Sequence, residues 1–430
     1  MSDEYTLNLP REQTFKQLVQ EIHGIRSLME KESYICYGMR IQGDGLESDP
    51  DSLITYLKDS VGMTPAHMDY TNDVFDYGSW KDAFFMPKPC ILKQSGKVQC
   101  YLDPDNYEKD IDGNTVAIDE NLTGANVMIE FPKIWLKIIP EADPRNAEVY
   151  ISNKKLDEDF KDYAYIASDK THKEHFYMPA FNGSLIDSVL RSLSGQALMK
   201  SKTAQNEIDY ATANGTGWYT EDAGEVMLIN FLLLLMAKTA DTKKAYGQGL
   251  HTGGSEAINN NFRTGVHKAK GLFYGTNSGA IADGSYGNAV KVFGIENWWG
   301  LQWRKYAGDI LDGTNGIKSK LCWGQEDGST TDNFNLDGSG YVATGAIPSG
   351  TSGQYIKEML FTKNGMYSTV NQSNSAYYFT SGQWFNTGQV DYALRGGSSY
   401  AGALVCAMFV DRYYLASFAR WNLGAAPAYK

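Results

Sequence analysis

Between Arg11 and Glu32 the apolar residues fall at Phe15, Leu18, Ile22, Ile25 and Met29, a 3-4-3-4 spacing that makes a heptad seam of about two and a half repeats. The segment reads either as an amphipathic helix packed on its own domain or as a short self-association helix; a seam this short is marginal alone. From Tyr34 to about Asn121 the pattern turns to short alternating segments broken by Gly, Asp and Pro. Lys97–Leu102 and Asn126–Ile138 read as strands, and Asp103-Pro-Asp-Asn and Asp110-Ile-Asp-Gly113 as turns. The organisation expected is a helix over 1–33, a small β-rich attachment domain over 34–120 and a larger domain over 121–430. Ser184–Leu193, Ala204–Ala213 and Glu221–Thr239 read as helices. The last holds the longest apolar run, Val226–Ala237, broken only by Asn230. That run is too short to span a bilayer and predicts a buried helix. Beyond His251, Gly, Ser, Asn, Thr, Tyr and Trp dominate, which predicts short strands and long loops of the kind that carry function. The class expected is α+β.

Composition narrows the partners. The 430 residues suggest about three domains. With 42% hydrophobic and 21% charged residues, the chain is not disordered throughout. A net charge of -12 disfavours nucleic acid and anionic membrane surfaces, and no membrane insertion is expected. The opening MSDEYTLNLPREQ lacks the basic and apolar regions of a secretory signal. Cys36, Cys90, Cys100, Cys322 and Cys406 are too few and too scattered for a disulfide scaffold, which suits a reducing cytoplasm. The 28 Tyr and 43 Gly are unusual, and they are the palette of binding surfaces.

Catalytic signals are thin. His172-Lys-Glu-His175 has i, i+3 spacing and no nearby Cys cluster, so it reads as a solvated loop. Gly247-Gln-Gly249-Leu-His-Thr-Gly253 misses the dinucleotide fingerprint and follows a helix. Asn333-Phe-Asn335-Leu-Asp337-Gly338 half-matches a calcium loop, but Thr344 stands where the bidentate Glu should be, so a turn is expected. No GxSxG elbow occurs. No catalytic residue, metal or cofactor is expected.

The densest feature is Val290-Lys-Val-Phe-Gly-Ile-Glu-Asn-Trp-Trp-Gly-Leu-Gln-Trp303, whose three Trp belong in a core or an interface. Ala393-Leu-Arg-Gly-Gly-Ser-Ser399 follows about 90 residues after Trp303, then the apolar Leu404–Val410 and the closing Trp421-Asn-Leu-Gly-Ala-Ala426. Phe293–Gly300 followed by Leu394-Arg-Gly-Gly-Ser398 resembles the C-type-lectin-like fold of the formylglycine-generating-enzyme type. Within that fold the chain is most similar to variable proteins of diversity-generating retroelements and to related phage tail receptor-binding proteins. The resemblance covers about residues 125–430. Tyr37-Gly38, Asp59–Pro65 and Pro87–Cys90 also resemble N-terminal regions of gut-phage tail proteins.

The resemblance implies a rigid lectin-like scaffold, preceded by the N-terminal helix and the small β-rich domain, whose segment 394–426 displays a ligand-binding surface. The family diversifies that segment by adenine mutagenesis of Asn-type codons, which cannot yield Lys, Glu, Gln, Met or Trp. Average usage would place roughly six Lys, Glu and Gln in Val390–Tyr429, and it holds none. The implied contact residues are Tyr400, Leu404, Asp411, Arg412, Tyr413, Tyr414, Ser417, Phe418 and Arg420. Leu394, Val405, Met408, Phe409 and Val410 would pack inward, with Gly396 and Gly397 permitting a tight turn. Tyr367, Tyr377, Tyr378, Trp384 and Phe385 either extend the surface or pack beneath the loops. The expected partners are a host-cell surface protein or glycan, other tail components and further copies of the chain, a trimer among them. The expected location is a virion tail or, alternatively, a bacterial cell surface. The copper-dependent oxidase of this fold uses two closely spaced C-terminal Cys; here Cys406 stands alone and Cys322 is distant, so that activity does not carry over. The Glu-Pro-Asn, Gln-Pro-Asp and Trp-Asn-Asp motifs of calcium-dependent sugar binding are absent, Trp421-Asn-Leu423 breaking the last.

Overall fold

Met39 and Ile41 on one strand and Val149 and Ile151 on its neighbour are fully buried, at the alternating positions that a half-covered strand requires. They belong to an antiparallel sheet in the order Ile54–Lys58, Cys36–Gln42, Asn146–Ser152, Trp135–Pro140. A seven-stranded sheet runs in the order Trp218–Thr220, Pro427–Tyr429, His175–Pro179, Ala125–Pro132, Lys88–Lys93, Val98–Asp103, Asn106–Asp110. A nine-stranded sheet completes the frame. Its central strands, Trp303–Asp312, Val390–Arg395 and Val410–Arg412, lie side by side, and Gly382–Phe385 follows. The computed structural model describes residues 19–21, 34–281, 286–372 and 377–430. With 34% of residues in strands and 11% in helices, the chain is predominantly β, within the broad α+β class.

The expected strands and turns of the first half are present as Val98–Asp103, Ala125–Pro132 and Trp135–Pro140, with turns after Asp103 and Asp110. The boundary expected near residue 120 is corrected. Lys88–Lys93 pairs along its whole length with Ala125–Pro132, and Cys36–Gln42 pairs with Asn146–Ser152. Backbone hydrogen bonds thus stitch 34–120 into the sheets of the following region, and one hydrophobic core runs from Tyr37 to Ala428. Of the expected 1–33 helix only residues 19–21 are described, and they are helical; all five seam residues lie outside the described residues.

Ser184–Leu193 is a hairpin, not a helix. Ser184–Ile186 pairs with Val189–Arg191, and the two connecting residues, Asp187 and Ser188, both have left-handed φ (49° and 62°). That is the geometry of a two-residue hairpin turn. Ala204–Thr212 is helical as expected, with the Thr203 side chain accepting the Asn206 N–H.

Ala223–Ala237 is the buried helix the apolar run predicts. Apolar all round, it must be enclosed on every side. Its start is fixed by a capping box between Asp222 and Glu225, and its end by Lys238 in the left-handed region. The one polar interruption of the apolar run has a partner: Asn230 Oδ1 accepts the Trp298 indole N–H at 3.0 Å. Trp298, Trp299 and Trp303 are all buried, so the aromatic cluster is core. No helix among the described residues is long and apolar enough to cross a membrane.

Gly396 joins this core to the C-terminal segment. Its φ is 80°, and a Cβ there would lie 2.6 Å from the Trp298 carbonyl oxygen. Its N–H donates to Phe409 O at 2.9 Å and its carbonyl accepts from Gly300 at 2.8 Å, so the strand cannot move aside without losing both bonds. Gly396→Ala is expected to lower stability by about 1–3 kcal/mol, read from urea denaturation. An unchanged midpoint would show that this turn tolerates a side chain.

Candidate functional site

The C-terminal segment rests on buried ion pairs. Arg395, at the end of its strand, donates to both Glu221 and the Trp298 carbonyl and lies 3.5 Å from the centroid of the Trp298 ring. Arg304 reaches the other oxygen of the same carboxylate at 2.8 Å. On the next strand Arg412 makes a two-pronged contact with Asp309, 2.7 Å on each prong, and Tyr306 donates to Asp309 at 2.6 Å. Planar guanidinium forks matched to carboxylates fix orientation as well as charge. Burial pulls Arg395 down to about 10, which leaves it charged at neutral pH.

Between these strands, residues 398–409 form a loop pinned at several points. Ser399 Oγ donates to Asn259 Oδ1 at 2.9 Å, and the Gly402 N–H donates to His251 O at 2.9 Å. Cys406 Sγ lies 2.7 Å from Thr242 Oγ1, and Thr242 Oγ1 also accepts the Ala407 N–H. Leu394, Val405, Met408, Phe409 and Val410 are buried, as expected of scaffold residues.

On this base the expected contact residues divide. Tyr413 is 40% exposed, and its ring meets Trp384 edge-on at 6.4 Å and Tyr414 at 5.2 Å. Tyr414 stacks nearly parallel on Phe418, with centroids 4.0 Å apart. Burial, aided by the charge of Asp411, raises the Tyr414 hydroxyl, and the nearby Arg420 opposes that rise. The result is one continuous aromatic patch, Trp384–Tyr413–Tyr414–Phe418, with Arg420 at its margin and Ser417 exposed beside it. Leu404, half-buried, packs over Gly382 at the start of the strand that carries Trp384. Tyr400 is 73% exposed on the pinned loop, and no ring contact joins it to the patch.

Asp411 and Arg412 do not belong to this surface. Both are buried, because the Val410–Arg412 strand is flanked by Val390–Arg395 on one edge and Gly382–Phe385 on the other, with both faces covered. Arg412 is spent on Asp309. Asp411 accepts the Tyr413 N–H at 2.9 Å, and its carboxyl is raised to about 7 by burial and by the nearby charge of Asp391. Tyr367 and Phe385 are likewise buried, whereas Tyr377 and Trp384 are exposed and Tyr378 is half-buried.

Sequence reasoning missed a shallow hollow of about 400 Å³ beside the patch, walled by Leu336, Val390 and Leu415 and edged by Ser417, Gln205 and Thr203. Leu415, 46% exposed within the C-terminal segment, was the available signal. Leu336 and Gln205 come from distant parts of the chain and gave none.

Other motifs resolve without a site. His172 and His175 do not act together. The His172 ring bridges Asp162 (2.8 Å) and Glu326 (2.9 Å), whereas His175 approaches Glu130. Burial alone would lower His172, but the two carboxylates raise it. Asp162, His172 and Glu326 could converge on a cation, yet each imidazole nitrogen is already engaged and Lys133 sits 2.5 Å from Asp162. Asn335 closes a turn by accepting the Gly338 N–H at 2.8 Å. Gly247 offers its carbonyl to the Trp299 indole. The five cysteines are free. Compared with protein-family models and with curated protein sequences, the chain matches none.

Proposed function

We propose that this chain is a receptor-binding protein that acts by binding rather than by catalysis. On this reading a C-type-lectin-like scaffold of the formylglycine-generating-enzyme type presents its C-terminal surface to a host-cell protein or glycan. It does so from a phage tail or, alternatively, a bacterial surface, as a homo-oligomer such as a trimer and together with other tail components. The observation that carries the reading is the aromatic patch of Trp384, Tyr413, Tyr414 and Phe418, on a C-terminal segment whose Arg395 and Arg412 are buried and ion-paired. Half-exposed Tyr and Trp rings give large contact area at small entropic cost, and a rigid base means that little order is lost on binding. The contact set is then Tyr400, Leu404, Tyr413, Tyr414, Ser417, Phe418 and Arg420, with Trp384 and Leu415 added and Asp411 and Arg412 withdrawn.

Binding of the labelled protein to bacterial cell envelopes tests the reading. Tyr413→Ala combined with Phe418→Ala is expected to weaken binding by at least about a hundredfold, two hot-spot truncations together, with an unchanged circular dichroism spectrum. Undiminished binding by the folded variant would sink the reading. Diversification has its own test, a near-copy of the codons for Leu394–Lys430 downstream of the gene, differing only at adenines.

A further inference from the structure

At the far end of the Ala204–Thr212 helix from this surface lies a second concavity, a cleft of about 480 Å³. Ala204 at the helix start donates its N–H to Ala416 O, beside the aromatic patch, while Thr212 at the helix end lines the cleft. At 1.5 Å per residue the helix separates the two regions by roughly 12 Å. The cleft follows the Trp218–Thr220 strand, which forms one edge of the seven-stranded sheet and pairs with Pro427–Tyr429.

One wall is made by Tyr219 and Trp323, half-buried rings that meet edge to face at 5.0 Å and 80°. The opposite end is closed by Tyr429 against Trp218, with centroids 5.2 Å apart. These rings are fixed in place. The Trp218 indole donates to Gln94 O at 2.8 Å, Tyr219 and Trp323 both pack on Phe334, and the Tyr429 hydroxyl abuts Gly96. The floor holds the buried side chains of Asp222, Glu225 and Lys430. Lys430 Nζ donates to Asp222, lies 3.3 Å from Glu225 Oε1 and reaches Ala164 O at 3.3 Å.

These features select the chemistry of the occupant. The volume falls in the range of small-molecule sites. The charged side chains of the floor are committed to one another: Lys430 donates to Asp222 and lies against Glu225, whose carboxyl is raised by burial and by the Asp222 charge. Paired and buried, these side chains offer no free charge to an incoming anion or cation. What remains is a pair of flat aromatic rings with the Ser168, Thr212 and Thr216 hydroxyls around the opening. A sugar ring has the matching duality, an apolar C–H face for the ring plane and a hydroxyl edge for the polar rim. We propose that this cleft binds a neutral saccharide of one or two rings, its apolar C–H face packed against the aromatic wall of Trp323 and Tyr219, at a site separate from the C-terminal display surface.

Saturation-transfer NMR on the full chain tests it, with methyl glycosides of glucose, galactose, mannose and N-acetylglucosamine, and with lactose and maltose, as probes. At least one probe is expected to receive saturation at millimolar concentration. Trp323→Ala is expected to weaken that binding at least about tenfold. Should Trp323→Ala lose its fold, Thr216→Trp keeps the test intact: Thr216 is exposed at the rim, and a bulky ring there obstructs the opening without touching the core. Tyr413→Ala, on the other surface, is expected to leave the transfer unchanged. Transfer to none of the probes, transfer that survives Thr216→Trp, or transfer abolished by Tyr413→Ala would each overturn the assignment.

Discussion

Glu221→Ala is expected to cost about 3–5 kcal/mol of folding stability, the penalty of leaving buried charge uncompensated. The reason lies in the sharing of one carboxylate. Glu221, 1% exposed, pairs through one oxygen with Arg304 and through the other with Arg395, and neither arginine reaches solvent. Removing it strands two guanidinium groups at once. Arg395 retains the Trp298 carbonyl and ring face, and Arg304 retains Glu296 O, but these dipoles do not replace a full negative charge. Because Arg395 ends the strand that leads into the 398–409 loop, the proposed receptor binding should fall together with stability. Urea denaturation reads the effect directly. A loss below about 1 kcal/mol would mean that water or a neighbouring acid replaces Glu221, and that the pairs do not anchor the C-terminal segment.

The second large effect is a dependence of stability on pH that runs opposite to ordinary acid denaturation. Asp411 and Asp391 lie buried on neighbouring strands, and burial raises Asp411 to about 7 and Asp391 to about 6. Gln389 ties the pair to the surface by donating to Asp391 and to the carbonyl of Tyr413. A raised carboxyl holds its proton in the folded state at pH values where the unfolded chain has released it. The folded state therefore binds more protons between about pH 4 and pH 7, and stability falls as pH rises through that window. Each tenfold gain in proton affinity on folding is worth about 1.4 kcal/mol, so Asp411 contributes on the order of a few kcal/mol, present below the window and lost above it. Asp411→Asn keeps an oxygen to accept the Tyr413 N–H and cannot ionise. It should be more stable than the natural chain at pH 8 and should show a shallower decline between pH 5 and pH 8. Other buried acids, Glu207 among them, shift in the same direction, so the difference between the two proteins is the diagnostic. Parallel stability profiles would show that Asp411 is not the group that titrates.

The exposed positions of the C-terminal segment were legible in the sequence where chemistry is local. Tyr400, Tyr413, Ser417 and Arg420 come from a segment free of Lys, Glu and Gln, and all four are exposed. The same reading failed at Asp411 and Arg412. Charge on a strand looks like solvent exposure until a partner such as Asp309, more than a hundred residues away, accepts it. It failed at Ser184–Leu193 for a related reason: a short apolar run fits a helix or a hairpin equally well, and the left-handed pair Asp187–Ser188 decided between them.

The sequence by itself determined the elements whose causes are close in the chain. These are the capped apolar helix Ala223–Ala237, the turns at Asp103 and Asp110, the buried Trp298–Trp299 pair and the aromatic character of the C-terminal segment. Only the tertiary structure decided what depends on contacts between distant segments. It joined 34–120 to the later sheets, turned Arg412 and Arg395 inward, brought Leu336 and Gln205 beside Leu415, and closed a cleft between Trp323 and Tyr429. Strand pairing and buried ion pairs are satisfied by whichever segment arrives at the right edge, and local patterning carries no record of which segment that is.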